Sequence, residues 1–251
     1  MKKIALVTGA TSGIGAATAR ILAKNNYNII ITGRRDGRLG KLAAEIIDKI
    51  GVDCYPLCFD VRNIDEVECA FNSLPEEWRN IDLLINNAGL AAGLSPIHDG
   101  DITDWQQMID TNIKGLLYVS KTVSQIMVEK KRGHIINIGS IAGKETYANG
   151  AVYCATKHAV DAITKGMRID LNPYGIKVGS ICPGAVETEF SIIRLKDADA
   201  NKKVYAGFSP LQANDIAETI LFMATRPAHV NIGDVLILPT AQASATVLHK
   251  G

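Results

Sequence analysis

No stretch of this chain is apolar for long enough to cross a membrane, and neither sign of charge dominates it. Its 27 basic and 26 acidic residues leave a formal net charge of +1. Such a surface has no field to draw in nucleic acid or an anionic lipid surface, so neither is expected as a partner. Cysteine is sparse: Cys54, Cys58, Cys69, Cys154 and Cys182 are the only five. Cys54 and Cys58 are four apart, but no second pair or nearby histidine completes a zinc site, so no metal is expected. An odd set without a pattern suits reduced thiols in a cytoplasmic protein. The start, Met1-Lys2-Lys3 before Ile4–Val7, superficially resembles a leader. Its apolar run stops at Thr8-Gly9, too short for one, and reads better as a buried first strand.

What is present is an alternation. Strands are expected near Lys3–Thr8, Asn28–Gly33, Val52–Phe59, Ile81–Asn86, His134–Gly139, Lys177–Ile181 and Asp234–Leu238. Helices are expected at about 13–25, 37–50, 64–73, 102–130, 151–171 and 213–225. Runs such as Ile4-Ala5-Leu6-Val7 and Asn28-Ile29-Ile30-Ile31 are apolar on both faces, which places them in a parallel sheet covered on both sides. The expected fold is therefore α/β: a Rossmann-type doubly wound parallel sheet of about seven strands with helices on both faces. No linker, repeat or low-complexity stretch divides the 251 residues, so one domain is expected. The region 183–212 is polar, irregular and long, and is a candidate lid.

The first strand runs into Thr8-Gly9-Ala10-Thr11-Ser12-Gly13-Ile14-Gly15 and then a helix. Glycines let the chain turn tightly and let backbone approach a pyrophosphate, while the helix N-terminus offers oriented N–H groups. Gly9, Thr11, Ser12, Gly13, Ile14 and Gly15 thus form a candidate phosphate cradle, spaced Gly-x3-Gly-x-Gly. The second strand ends in Thr32-Gly33-Arg34-Arg35. An acid here would hold the ribose 2′-hydroxyl of NAD; glycine followed by two guanidiniums points instead to the 2′-phosphate of NADP. Asp36 follows, and is expected to face the next helix as its cap.

Tyr153 and Lys157 are four apart in a helical stretch, so they share a face. A free tyrosine has a pKa of about 10, and a neighbouring ammonium favours its phenolate. Ser140 ends the strand His134–Gly139 at the carboxyl edge of the sheet, where ligands of open α/β sheets bind. Its hydroxyl can hold a substrate oxygen while Tyr153 exchanges the proton.

Taken together, Thr8–Gly15, Asn86-Asn87-Ala88-Gly89, Asn112, Ser140, Tyr153-x3-Lys157 and Pro183-Gly184 resemble the short-chain dehydrogenase/reductase family in order and spacing, over essentially the whole chain. The resemblance implies a catalytic tetrad of Ser140, Tyr153, Lys157 and Asn112, with Asn112 keeping a water in a proton relay behind Lys157. It implies that Asp60, with Val61 beside it, meets the adenine. Asn87, Ala88 and Gly89 would lie beside the adenosine ribose. Pro183, Gly184, Val186 and Thr188 would lie over the nicotinamide. It also implies a homotetramer, to which the surplus apolar positions of 113–128 and 151–171 would contribute.

Within that family the chain is similar to NADP-dependent 3-hydroxy acid dehydrogenases acting on serine and allo-threonine. The segments that carry this are Thr32–Arg35, Leu74–Trp78, Asn87–Ala91, His134–Ser140 and Pro227–Ile232. A hydroxy acid needs a partner for its carboxylate. Arg194, in the candidate lid, is one, and Tyr147 can add a hydroxyl. Glu145 and Glu187 stand against this, because a carboxylate at the pocket repels an acid, although it can meet an amino group. A 3-oxoacyl carrier-protein reductase shares the tetrad, but usually ends soon after its last strand with Asn-Gly-Gly, whereas this chain continues from Leu238-Pro239-Thr240 to Gly251. A non-catalytic NADP-binding sensor commonly loses the tyrosine or lysine, and both are present here.

Overall fold

The computed structural model describes residues 2–190, 194 and 204–251. The remainder of the candidate lid, 191–193 and 195–203, lies outside the described residues. Seven strands form one parallel sheet: β1 (Lys3–Val7), β2 (Tyr27–Gly33), β3 (Cys54–Cys58), β4 (Ile81–Asn86), β5 (Gly133–Ile138), β6 (Ile176–Pro183) and β9 (Asp234–Ile237). Their order is β3-β2-β1-β4-β5-β6-β9. The winding reverses between β1 and β4, and a crevice opens there at the carboxyl ends of the strands.

Side chains alternate across the sheet, so each strand feeds two cores. Ala5, Val7, Ile29 and Ile31 pack with Leu22 of α1 (Gly13–Lys24), Leu39 of α2 (Asp36–Glu45) and Ile216 and Ile220 of α7 (Ala213–Ala224). Ile4, Leu6, Ile30 and Leu84 pack on the other face with Val67 and Phe71 of α3 (Ile64–Asn72) and with Val119, Val123 and Met127 of α5 (Leu116–Lys130). Helix α4 (Ile102–Ile109) precedes α5, and α6 (Ala151–Leu171) lies between β5 and β6 in sequence. Two further short strands, β7 (Val186–Glu187) and β8 (Leu211–Gln212), pair in parallel and close the base of the candidate lid.

The strands expected from sequence are present, Ile81–Asn86 with the same bounds and the others with ends shifted by at most two residues. Two helices depart from expectation. The expected helix at 37–50 becomes π-helical at Ile46–Ile50, and that at 102–130 is interrupted by a π-helical turn at Asp110–Gly115. Asp36 does not cap α2: Arg35 holds that position, and Asp36 is the first helical residue, where its charge still favours the positive end of the helix. Among the described residues no helix is long and apolar enough to cross a membrane. All five cysteines are free.

Candidate active site

The crevice at the switch point is a cleft of about 710 Å³. Its floor is the glycine turn, held by a lattice of hydrogen bonds from the β4 side. Asn87 donates through Nδ2 to the carbonyl oxygens of Thr8 (2.8 Å) and Gly9 (3.2 Å), and the backbone N–H groups of Asn87 and Ala88 donate to Thr8 Oγ1 at 3.0 and 2.9 Å. Gly9 has φ +65°, and a Cβ there would lie 2.9 Å from the Cα of Ala88. A Cβ on Gly15 would stand 2.5 Å from Asn87 Nδ2 and from the Gly9 oxygen. Gly15 therefore serves the close approach of helix and turn and is not part of the cleft wall. Gly9, Thr11, Ser12, Gly13 and Ile14 are.

Ser12 is the N-cap of α1, yet its side chain makes no capping bond. Instead Ser12 Oγ accepts from Arg35 Nη2 at 2.8 Å, and Thr11 Oγ1 accepts from Arg35 Nε at 3.0 Å and from Nη2 at 2.6 Å. The first amides of α1 thus have no side chain of their own over them and face the cleft, an arrangement suited to a phosphate. Arg34 stands 3.6 Å from Asp60. Asp60 also accepts from Arg62, through Oδ1 from the backbone N–H and through Oδ2 from Nη2 at 2.6 Å. Burial pushes the Asp60 carboxyl up, but the Arg62 bonds outweigh it and hold the group below the usual carboxylate range. Val61, Ala88, Gly89, Pro183, Gly184, Val186 and Thr188 complete this part of the wall. A Cβ on Gly13 would be 3.3 Å from Thr188, so the segment after β6 lies directly over the glycine turn.

At the other end of the cleft the groups are buried. Tyr153 and Lys157 rise from one face of α6. Ser140 lies two residues beyond β5, not at its last position, where its Oγ accepts from the Ala142 amide (3.1 Å) and donates to the Pro183 carbonyl (3.5 Å). Lys157 Nζ donates to the Ile138 carbonyl at 2.9 Å, and burial lowers the ammonium to about 8. Tyr153 departs from expectation. Burial, followed by the neighbouring Tyr147, raises its hydroxyl above the ordinary range, and Ser140 and Arg194 are the groups that pull it back down. Asn112 sits in the π-helical turn, behind Gly89 of the cleft wall. It donates through Nδ2 to the Leu90 carbonyl (2.8 Å) and to Thr156 Oγ1 (3.0 Å), and accepts from the Leu90 amide (2.8 Å). Both amide hydrogens are used, so the side chain clamps the β4 loop to α6, while its oxygen keeps a second lone pair open.

Arg194 stands among these groups. Its guanidinium carbon lies 5.4 Å from the ring centre of Tyr153 and 5.5 Å from that of Tyr147. Two of its nitrogens, Nε and Nη2, are buried with no hydrogen-bond partner among the described residues. The two carboxylates expected to oppose an acid are occupied elsewhere: Glu145 accepts from the Ala245 amide at 2.8 Å, and Glu187 from Gln212 Nε2 at 3.1 Å. Neither lines the cleft.

Several lining residues were not picked out in the sequence. Phe190 packs 5.9 Å from Tyr153, ring centre to ring centre. Gln242, Ala245 and Leu248 of the tail line the cleft, and Gln242 Oε1 accepts from the Ala185 amide at 2.8 Å. Glu189 reaches Arg35 and Arg38. No periodicity marks a tail that folds back, and the Glu189 contacts span 154 and 151 positions.

A glycine turn at the switch point of a parallel sheet, with serine, tyrosine and lysine at the carboxyl edge, defines a dinucleotide-dependent oxidoreductase. More narrowly, the chain belongs to the short chain dehydrogenase family, whose model matches residues 3–198. It is 46% identical over 96% of its length to the NADP-dependent 3-hydroxy acid dehydrogenase YdfG of Salmonella typhi, covering 97% of that protein. It is 43% identical to sulfoacetaldehyde reductase 2 of Chromohalobacter salexigens, over 97% of this chain and 96% of that one. The closed form of serine dehydrogenase complexed with NADP+ superimposes with a TM-score of 0.92 at 43% identity, covering 99% of this chain and all of the other.

Proposed function

We propose that this protein oxidises 3-hydroxy acids such as serine or allo-threonine with NADP, and catalyses the reverse carbonyl reduction. The observation that carries the substrate class is Arg194: a guanidinium above the ring of Tyr153 with two buried nitrogens that have no partner among the described residues. Leaving such donors unpaired is costly, and a carboxylate satisfies them in bidentate geometry. Arg34 and Arg35 favour a coenzyme with a 2′-phosphate. When bound, the nicotinamide supplies the redox chemistry. Tyr153 takes the proton of the substrate hydroxyl, and Ser140 donates a hydrogen bond to the same oxygen. The buried Lys157, with Arg194, stabilises the phenolate that results. Tyr147 and Phe190 exclude water around it.

The same reading extends to assembly and compartment. Ile102, Ile109 and Leu117 on α4 and α5, and Ile169 on α6, are left exposed. Apolar side chains on neighbouring helices suit packing between subunits, and we propose a homotetramer in the cytoplasm.

The test is a panel of initial rates with NADP and, separately, NAD. It holds L-serine, D-serine, L-allo-threonine, 3-hydroxypropionate, 3-hydroxyisobutyrate and a secondary alcohol without a carboxylate. Faster turnover of the hydroxy acids with NADP is expected. Activity confined to the plain alcohol, or seen only with an oxoacyl thioester and NADPH, overturns the substrate class. A second reading follows from the reductase relative: sulfoacetaldehyde bears a sulfonate, which a guanidinium also pairs. A 2-hydroxyethyl sulfonate arm in the panel separates the two anions.

A further inference from the structure

Every nitrogen of Arg35 already donates, with one Nη1 hydrogen left over. Nε and Nη2 are taken by Thr11 and Ser12, and Nη1 donates to Glu189 Oε2 at 3.1 Å. The same carboxylate accepts from Arg38 Nη1 through both oxygens at 2.9 Å. Burial pushes Glu189 up, but the hydrogen bonds from Arg35 and Arg38 outweigh it and hold the carboxyl below its usual range. Glu189 follows Thr188, which lies over the glycine turn. The carboxylate therefore bridges the cleft from the segment after β6 to the turn between β2 and α2. One of its oxygens meets the Arg35 guanidinium that a 2′-phosphate must reach, and both meet Arg38.

We infer that Glu189 is an internal stand-in for the coenzyme 2′-phosphate. It neutralises Arg35 and Arg38 while the subsite is vacant, and it must yield when a 2′-phosphate enters. An anion of the chain and an anion of the ligand then compete for one set of donors. A coenzyme without the 2′-phosphate leaves the bridge intact. Glu189 thus lowers affinity for the phosphorylated coenzyme and speeds its departure, because the carboxylate re-forms the bridge as the phosphate leaves. This rests on the reading of Arg34 and Arg35 as the 2′-phosphate subsite. It differs from a positioning role, in which Glu189 would hold Arg35 ready and its loss would weaken binding.

All three side chains are close to half exposed, so each pair is screened and the effect is modest. Removing the carboxylate in Glu189→Gln is expected to tighten the 2′-phosphate ligand by about three- to tenfold. The experiment is equilibrium titration, by calorimetry, of wild type and Glu189→Gln with adenosine 2′,5′-bisphosphate and with AMP. These fragments fill only the adenosine end and need no turnover. The bisphosphate should tighten and AMP should not move. Displacement of NADPH, followed by its fluorescence, should slow by a similar factor in the variant. Circular dichroism confirms the fold of this surface substitution. If wild type binds the bisphosphate and AMP equally, the phosphate subsite and the stand-in both fail. If wild type prefers the bisphosphate but Glu189→Gln binds it equally or more weakly, the stand-in alone fails.

Discussion

Around Arg34, Arg35, Arg38 and Asp60, at the adenosine end of the cleft, each charge is at least partly exposed and already has an opposite charge beside it. Tyr153 and Lys157 are buried, and two buried guanidinium nitrogens of Arg194 have no partner among the described residues. Exposed, paired charges exchange partners at little cost, which suits a coenzyme that must arrive and leave. Buried groups in a low dielectric act strongly on whatever enters, which suits a reacting centre. The two ends thus divide recognition from chemistry, and substitutions at each should fail differently.

The largest effect is expected at the buried end. Tyr153→Phe should lower turnover by about 10²–10⁴ while leaving NADP affinity nearly unchanged. Steady-state rates with a separate binding titration check this, and near-normal turnover would remove Tyr153 from its role. Because burial raises the Tyr153 hydroxyl, the oxidation rate should climb as pH rises into the alkaline range. A flat pH profile would contradict that.

At the exposed end, Arg35→Glu replaces attraction with repulsion. It should weaken NADP by about ten- to a hundredfold and NAD by far less. Paired titrations read the ratio, and equal losses would show that Arg35 does not meet a 2′-phosphate.

A smaller effect belongs to neither end and serves as a control. His134, near the amino end of β5, is buried with both ring nitrogens unpartnered among the described residues. Burial, then the nearby Lys177, depresses its pKa to about 3. The unfolded chain binds a proton near the ordinary value of about 6.5. Stability from this group is therefore complete above pH ~6.5 and declines as pH falls toward 3, at up to about 1.4 kcal/mol per unit. His134→Leu should flatten the acid limb of melting temperature against pH and leave coenzyme selectivity alone. An unchanged limb would show that another group carries it.

How far each end was legible in the sequence follows the same divide. The sheet was readable because Ile4–Val7 and Ile29–Ile31 are apolar on both faces, a pattern a surface helix does not show. The glycine turn, Tyr153 and Lys157 are local signals. The π-helical turn at Asp110–Gly115 was not readable, since one extra residue per turn shifts a helical pattern too little to see. Asn112 was found by resemblance, but its bonds to Leu90 and Thr156 depend on how the β4 loop packs against α6. Glu189 was missed because its meaning lies in Arg35 and Arg38, distant in sequence. Arg194 was named as one arginine in a polar stretch; its burial above two tyrosines is a property of the fold alone.

The most direct measurement is the ratio of kcat/KM for 3-hydroxypropionate to that for an uncharged secondary alcohol, in wild type and in Arg194→Met, with NADP. If Arg194 pairs the substrate carboxylate, the variant should lose about ten- to a hundredfold on the acid and little on the alcohol, collapsing the ratio. Equal losses on both substrates, or none on the acid, would contradict the assignment of this cleft to 3-hydroxy acids.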